Sequence, residues 1–106
     1  MVPELTPRQL AEKLKSENPP LLIDVREPFE YQIARLPGAQ LKPMGETLEW
    51  MKELDPEAEI VFHCHTGMRS MQVATYLKTQ GFKNVYNLRG GIDTWSVDVD
   101  PGVPRY

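Results

Sequence analysis

The chain is poor in cysteine, in histidine and in long apolar runs. It has one cysteine and two histidines among 106 residues. A single cysteine cannot form an internal disulfide, which predicts a reducing, cytoplasmic compartment. The cysteine and both histidines are adjacent at 63–65, so in a strand they alternate between faces and cannot converge on a metal ion. No apolar run is long enough to span a membrane, and residues 1–20 lack the layout of a signal peptide.

The chain also lacks an excess of positive charge. It carries 12 Lys and Arg against 15 Asp and Glu, a formal net charge of −3. Because it has no cluster of basic residues to bind a phosphate backbone, we expect no nucleic-acid partner. Its 41% apolar and 25% charged residues are ordinary for a globular protein. We predict one domain over residues 1–106, with a core that needs neither disulfide nor metal.

Helix signals divide the chain at regular intervals. Thr6, Pro7 and Gln9 form a capping-box pattern at the start of one helix, and Pro19-Pro20 prevents its continuation. Apolar residues at helical spacing or N-terminal prolines mark the next segments. The other predicted helices are 28–33, 45–54, 69–80 and one beginning at 90.

Three short apolar runs, at 21–25, 59–64 and 84–88, predict strands. Their nearly continuous apolarity is typical of strands buried on both faces. Because these strands alternate with helices, we predict an α/β fold with a central parallel sheet and helices on both faces. Functional groups in such sheets gather beyond the carboxyl ends of the strands, which brings 24–26, 64–69 and 89–91 to one edge. The polar segment 98–106 is expected to be extended.

Cys64 stands at that edge, between an apolar run and a predicted helix. The ordinary alternative is an inert core cysteine, since free cysteine is among the most buried residue types. A thiol that faces a helix N-terminus, however, meets unpaired N–H groups and the positive end of the helix dipole. Arg69 adds a positive charge, and Gly67 lets the segment curl into a nest of N–H groups. These features favour the thiolate and hence a nucleophile.

The two flanking histidines do not complete a catalytic triad. His63 and His65 are adjacent to Cys64 in sequence, which is poor geometry for removing its proton. The electrostatics of the loop make such a base unnecessary. We therefore expect an anionic substrate with a good leaving group, and a covalent intermediate held by N–H donors.

Three segments resemble the rhodanese-homology domains. "CHTGMRS" resembles their C-x-x-G-x-R-[ST] active-site loop, "LLIDVREPFEYQIARLPGA" their D-V-R segment, and "GFKNVYNLRGGIDTW" their G-G-x-x-x-W element. The segments occur in the family's order and cover essentially the whole chain. One departure is Arg35, which stands where the family often has histidine. The tail "DVDPGVPRY" is similar to the end of rhodanese domains fused behind enzymes that adenylate ubiquitin-like sulfur carriers.

This resemblance implies a rhodanese-like fold and a sulfurtransferase. Cys64 would take a sulfane sulfur from thiosulfate or a similar anionic donor, and a thiol or a ubiquitin-like sulfur carrier would accept it. No metal or organic cofactor is implied. The implied substrate-binding residues form the loop after the nucleophile: His65, Thr66, Gly67, Met68, Arg69 and Ser70.

Two other functions remain open at this point. Related phosphatases and arsenate reductases have one more loop residue, whereas only four residues separate Cys64 from Arg69 here. A protein-binding module without turnover is the other alternative, although the loop is complete.

Asp24 and Arg26 are supporting candidates beside the loop. Asp24 either holds Arg26 or Arg69 or caps its strand. Arg26 either faces the pocket or forms a surface ion pair with Glu27 or Glu30. We interpret the glycines 90–91 as a tight turn.

Overall fold

The computed structural model describes all 106 residues and has one five-stranded sheet at its centre. The strands are β1 (Glu4–Leu5), β2 (Leu21–Asp24), β3 (Gln40–Leu41), β4 (Glu59–His63) and β5 (Asn84–Leu88). All neighbouring strands are parallel, in the order β1-β5-β4-β2-β3. The helices are α1 (Pro7–Leu14), α2 (Pro28–Ile33), α3 (Thr47–Trp50), α4 (Met68–Thr79) and α5 (Gly91–Asp98).

The sheet is covered on both faces, which confirms the predicted three-layer α/β/α arrangement. Successive side chains of β4 alternate between two separate cores. Ile60 and Phe62 pack with Val73 and Leu77 of α4 on one face. Val61 packs on the other face with apolar side chains of α1 and α5, among them Leu10, Ile92 and Trp95. Cys64 continues the first of these faces and is part of the α4 core.

The first helix begins as its sequence predicts. Gln9 donates its backbone N–H to the Thr6 hydroxyl at 3.2 Å, and its side-chain oxygen accepts the Thr6 N–H at 2.9 Å. Pro7 occupies the first turn, where its missing N–H is not needed. The capping box therefore determines where α1 starts.

Three features differ from the prediction. The edge strands β1 and β3 have two residues each and were not predicted, because so short a run has no periodicity to detect. The predicted helix over 45–54 is divided into 3₁₀ turns at Met44–Glu46 and Met51–Glu53 on either side of α3. Leu48 is exposed, so the expected apolar stripe does not form one packed face.

The segment after α5 is not simply extended. It turns at residues 100–103, where Gly102 and Val103 both donate backbone N–H groups to Asp100. Val103 is buried, and its carbonyl accepts the hydroxyl of Ser96 at 2.6 Å. These contacts hold the segment against α5. None of the helices in the structure has the length and apolarity to cross a membrane.

Candidate active site

A short loop joins β4 to α4 and carries the cysteine. Cys64 is the first residue after β4, and α4 begins at Met68, preceded by Gly67 with a φ of 107°. A side chain at Gly67 would be strained at this φ, and its Cβ would lie 3.4 Å from the backbone nitrogen of Gly90. The glycine therefore allows the loop to curl back towards the cysteine, as predicted.

Two backbone N–H groups and one hydroxyl lie within hydrogen-bond distance of the Cys64 sulfur. The N–H of Gly67 lies 3.1 Å from Sγ, the N–H of Ser70 3.5 Å and the Ser70 hydroxyl 3.3 Å. Sγ also faces the first turn of α4, where the helix dipole is positive. A negative charge on this sulfur would be stabilised by the two N–H groups and by the helix dipole. The cysteine itself is only 1% exposed.

The remaining predicted loop residues lie around this centre without bonding the thiol. Thr66 and Met68 are exposed at the rim of the loop, and His65 is half-buried. Beside Thr66 and Met68 lies an open cleft of about 460 Å³, whose other wall includes Glu4 and Arg89. The loop thus has a buried sulfur and a solvent-facing rim.

Asn87, which was not predicted as a site residue, supports the loop from β5. Its side-chain N–H group donates to the Gly67 carbonyl at 3.1 Å and to a carboxylate oxygen of Glu4 at 2.9 Å, and its oxygen accepts the Ser70 hydroxyl. The Ser70 hydroxyl has one proton and lies within reach of both Sγ and Asn87. The signal was an asparagine in an apolar strand, where a buried polar side chain needs partners.

Helix α5 binds the backbone on the other side of the cysteine. The N–H groups of Ile92 and Asp93 donate to the carbonyls of Cys64 and His65 at 3.0 and 3.1 Å. Gly91 permits this close approach, since a Cβ there would lie 2.5 Å from the Cys64 carbonyl oxygen and 2.4 Å from that of His65. The predicted tight turn is present, with both glycines at positive φ. This turn also keeps the carbonyl oxygens of Cys64 and His65 hydrogen-bonded to α5.

Arg69 is paired differently from the expectation. Both of its terminal nitrogens donate to the Glu30 carboxylate, at 2.7 and 3.0 Å. These bonds lower the pKa of Glu30 to about 2 and raise that of Arg69, so the pair is ionised at neutral pH. The positive charge of Arg69 was expected to favour the thiolate and to bind the substrate anion. Its guanidinium is paired with Glu30, which was not named as its partner.

Asp24 and Arg26 form a fully buried ion pair beneath the loop. Arg26 donates through Nε and Nη2 to the two carboxylate oxygens, with bonds of 2.7–3.1 Å. The suggestion of a surface pair between Arg26 and Glu27 or Glu30 is wrong, because Arg26 is 0% exposed and reaches only the backbone carbonyl of Glu30. Asp24 holds Arg26 and not Arg69.

Neither His63 nor Arg35 is among the groups that surround the Cys64 sulfur. His63 is fully buried on the opposite face of β4 from Cys64, with Nε2 3.6 Å from Asp24. Burial lowers the pKa of His63 to about 4, so the imidazole is neutral near pH 7. Arg35 stacks over the ring of Tyr31 at 4.6 Å.

We expect the free energy of unfolding to decrease in two steps as the pH falls. His63 regains its ordinary pKa of 6.5 on unfolding, so the unfolded chain binds a proton first and stability is lost between pH 6.5 and 4. Glu30 has a pKa of about 2 in the fold against 4.5 unfolded, so its contribution is lost between pH 4.5 and 2. Each step costs about 3 kcal/mol.

Urea unfolding followed by tryptophan fluorescence measures both steps. His63→Gln should remove the pH dependence of the first interval and Glu30→Gln that of the second. A stability that stays constant from pH 6.5 to 4 in the wild type would contradict the assignment to His63.

An aromatic side chain from the segment after α5 completes the site. The ring of Tyr106 stacks on His65, with centroids 4.1 Å apart and planes inclined by 10°. Its hydroxyl donates to Glu30 and accepts from Arg26, both at 2.7 Å. Tyr106 was not predicted as a site residue, because no local pattern links residue 106 to the loop.

Comparison with known proteins agrees with this architecture. Residues 6–98 match the family model of the Rhodanese-like domain. The putative sulfurtransferase YtwF of Bacillus subtilis is 41% identical over 100 residues, covering 94% of this chain and 96% of YtwF. The thiosulfate sulfurtransferase GlpE of Pseudoalteromonas translucida is 32% identical over 85 residues, covering 80% of this chain and 81% of GlpE.

Among solved structures, SSP1007 from Staphylococcus saprophyticus superposes with a TM-score of 0.85 at 30% identity, covering 98% of this chain and 100% of that one. Some relatives are much longer. The Rhodanese-like/PpiC domain-containing protein 12 of Arabidopsis thaliana is 48% identical over 89 residues, and this chain spans 30% of its length.

Proposed function

The chain belongs to the rhodanese-like domain family, and from that membership we propose that it is a sulfurtransferase in which Cys64 carries the sulfur as a persulfide. The observation that supports the proposal most directly is the convergence of the Gly67 N–H and the Ser70 N–H on Sγ at the first turn of α4. A role in sulfur transfer in general is further supported by the relatives that are named sulfurtransferases.

The proposed first half-reaction takes sulfur from thiosulfate. The Cys64 thiolate attacks the outer sulfur of the donor, and a bond forms between Sγ and that sulfur. The bond to the central sulfur breaks, and its electron pair leaves with sulfite. Because sulfite is a good leaving group, no acid has to protonate it, and no general base is needed once the thiol is ionised. Metal and organic cofactors have no part in this scheme.

In the second half-reaction, an acceptor attacks the outer sulfur of the persulfide. With cyanide the products are thiocyanate and the Cys64 thiolate, so charge and atoms balance and the enzyme is regenerated. The N–H groups that surround Sγ stabilise the persulfide anion in the interval between the two steps. The carbonyls of Cys64 and His65 are bonded to α5, so their negative ends do not compete for this space.

The positive charge that attracts the anionic sulfur donor comes from the N–H groups of the loop and from Arg89 at its rim. The guanidinium of Arg69 is neutralised by Glu30, so its role in the proposal is to hold α4 and the loop in place. Arg89 is exposed in the adjacent cleft and has only a 3.5 Å contact with Glu4. We propose that Arg89 contributes attraction for an anionic donor that approaches along this cleft.

The proposed acceptor in the cell is a thiol or a ubiquitin-like sulfur carrier. The exposed rim at Thr66 and Met68 leaves room for a protein chain to reach the loop. The carrier is favoured by the resemblance of the tail to domains fused behind adenylating enzymes. A thiol that must stay free between turnovers is compatible with a reducing compartment, and the cytoplasmic location stays a prediction.

Intact mass spectrometry tests the proposal. Purified protein incubated with thiosulfate should gain the mass of one sulfur atom, and cyanide should remove it with the release of thiocyanate. Protein blocked at Cys64 with iodoacetamide should gain nothing. An unmodified wild-type protein after exposure to thiosulfate, persulfidated glutathione and cysteine-desulfurase-bound sulfur would overturn the proposal.

Two further measurements test the rival functions. Hydrolysis of a small aryl phosphate that depends on Cys64 would favour a phosphatase over a sulfurtransferase. Tight binding of a protein partner by both wild type and Cys64→Ser, without sulfur transfer from any donor, would favour a binding module.

A further inference from the structure

Tyr106 reaches the active-site loop from a distant part of the sequence. The chain leaves α5 at Asp98, turns at residues 100–103 and runs back along the helix. Buried Val103 and the bidentate bond of Arg105 to Asp93, at 2.9 and 3.1 Å, hold this returning segment. The segment delivers the Tyr106 ring to the carboxyl edge of the sheet, where it lies against His65.

The Tyr106 hydroxyl joins two ion pairs that are otherwise separate. It accepts a hydrogen bond from Arg26, the partner of Asp24, and donates one to Glu30, the partner of Arg69. It also completes the hydrogen bonding of Arg26: the other donors of that guanidinium reach Asp24 and the carbonyls of Glu30 and Ala34. A buried guanidinium left short of a partner is costly, so the hydroxyl has a defined electrostatic task.

The Tyr106 ring and hydroxyl act on opposite ends of the loop. The ring braces His65, directly after the nucleophile, and the hydroxyl fixes Glu30, which in turn fixes Arg69. One side chain thereby restrains His65 and Arg69, the two ends of the segment that contains Gly67. The restraint persists through neutral pH, because burial raises the pKa of Tyr106 to about 12 and the hydroxyl keeps its proton.

We propose that Tyr106 is a positioning residue that holds the loop of residues 64–70 in its sulfur-accepting geometry. The inference rests on the proposed sulfurtransferase function of the same loop. No hydrogen bond joins Tyr106 to Cys64, so its effect passes through His65, Glu30 and Arg69. Loss of the Tyr106 side chain therefore changes the positions of the N–H donors around Sγ, but it removes none of these donors.

Two substitutions separate the ring from the hydroxyl. Tyr106→Phe keeps the stack on His65 and loses both hydrogen bonds, whereas Tyr106→Ala loses both kinds of contact. We expect kcat with thiosulfate and cyanide to fall about threefold in Tyr106→Phe and about 30-fold in Tyr106→Ala, with KM for thiosulfate nearly unchanged. Tyr76 on α4 is a matched control, since it is 39% exposed like Tyr106 and lines a different cleft, with Met44, Thr47 and Leu48. Tyr76→Phe and Tyr76→Ala should keep the wild-type kcat.

Two readouts do not depend on turnover. The ring protons of His65 should lose their upfield NMR shift in Tyr106→Ala and keep it in Tyr106→Phe. The rate of Cys64 alkylation by iodoacetamide should rise about tenfold in Tyr106→Ala, because a looser loop exposes a sulfur that is now buried.

These readouts distinguish the possible failures. A wild-type protein that never takes up sulfur refutes the proposed function, while the NMR shift and alkylation rate still decide whether Tyr106 holds the loop. Wild-type kcat, His65 shift and alkylation rate in Tyr106→Ala would overturn the positioning role. A fall in thermal stability without any change in these three measurements would overturn it as well.

Discussion

Replacing Cys64 with serine is expected to abolish sulfur transfer, with a fall in kcat/KM of at least about 10⁴-fold. The serine oxygen would occupy nearly the same place and could accept the same N–H groups of Gly67 and Ser70. An alkoxide, however, is not accessible near neutral pH, and oxygen does not form the proposed persulfide. The substitution therefore removes the reacting atom and leaves the surrounding N–H groups of Gly67 and Ser70 unchanged.

Steady-state formation of thiocyanate measures this loss, and intact mass after exposure to thiosulfate shows whether sulfur is bound. Cys64→Ala serves as a second variant, in which the hydrogen-bond acceptor is also removed. Urea unfolding establishes that both variants fold. Wild-type rates in either folded variant would refute the assignment of Cys64 as the sulfur carrier.

The second large effect is expected from Gly91→Ala, which adds a single methyl group next to the loop. In Gly91→Ala the added Cβ would lie within 2.5 Å of the Cys64 and His65 carbonyl oxygens. Since backbone atoms cannot turn aside as a flexible side chain can, the loop or α5 has to move. We expect a destabilisation of about 2–4 kcal/mol from the clash and the left-handed backbone combined. A displacement of the loop by about 1 Å would lower kcat/KM by about 100-fold.

Gly38→Ala is the matched control for this substitution. Gly38 has a φ of 74°, close to the 61° of Gly91, but nothing lies within 4 Å of its added Cβ. It should therefore cost only the strain of the left-handed conformation, about 1–2 kcal/mol, and leave the activity unchanged. Equal losses of activity in the two variants would contradict the explanation by contact with the loop.

The charged side chains around the loop hold it in place and contribute little net charge to the site. Four charged side chains, Asp24, Arg26, Glu30 and Arg69, form two ion pairs that are joined by Tyr106. Their charges cancel in pairs, so the site is a rigid frame and has little net charge of its own. The electrostatic preference for an anion must then come from the backbone N–H groups, the first turn of α4 and the proposed contribution of Arg89.

Features that depend on neighbouring residues were predictable from the sequence. The capping box of α1, the apolar runs of the central strands and the left-handed Gly67 between Cys64 and α4 are all local patterns. Because α/β connections follow simple rules, these patterns were sufficient to predict the parallel sheet and the edge at which the loop lies. The two-residue strands and the division of segment 44–53 were not predictable, since too few residues carry each pattern.

The partners of the charged groups were decided only by tertiary packing. Arg69 bonds a carboxylate 39 residues earlier, and Arg26 bonds a tyrosine hydroxyl 80 residues later. Asp24, Glu27 and Glu30 are all plausible partners for a nearby arginine when only sequence distance is known. Burial makes the choice, because an ion pair away from water must satisfy every donor and acceptor with accurate geometry. The sequence by itself predicted which atom is placed to react, and the packing of distant segments determined what holds that atom in place.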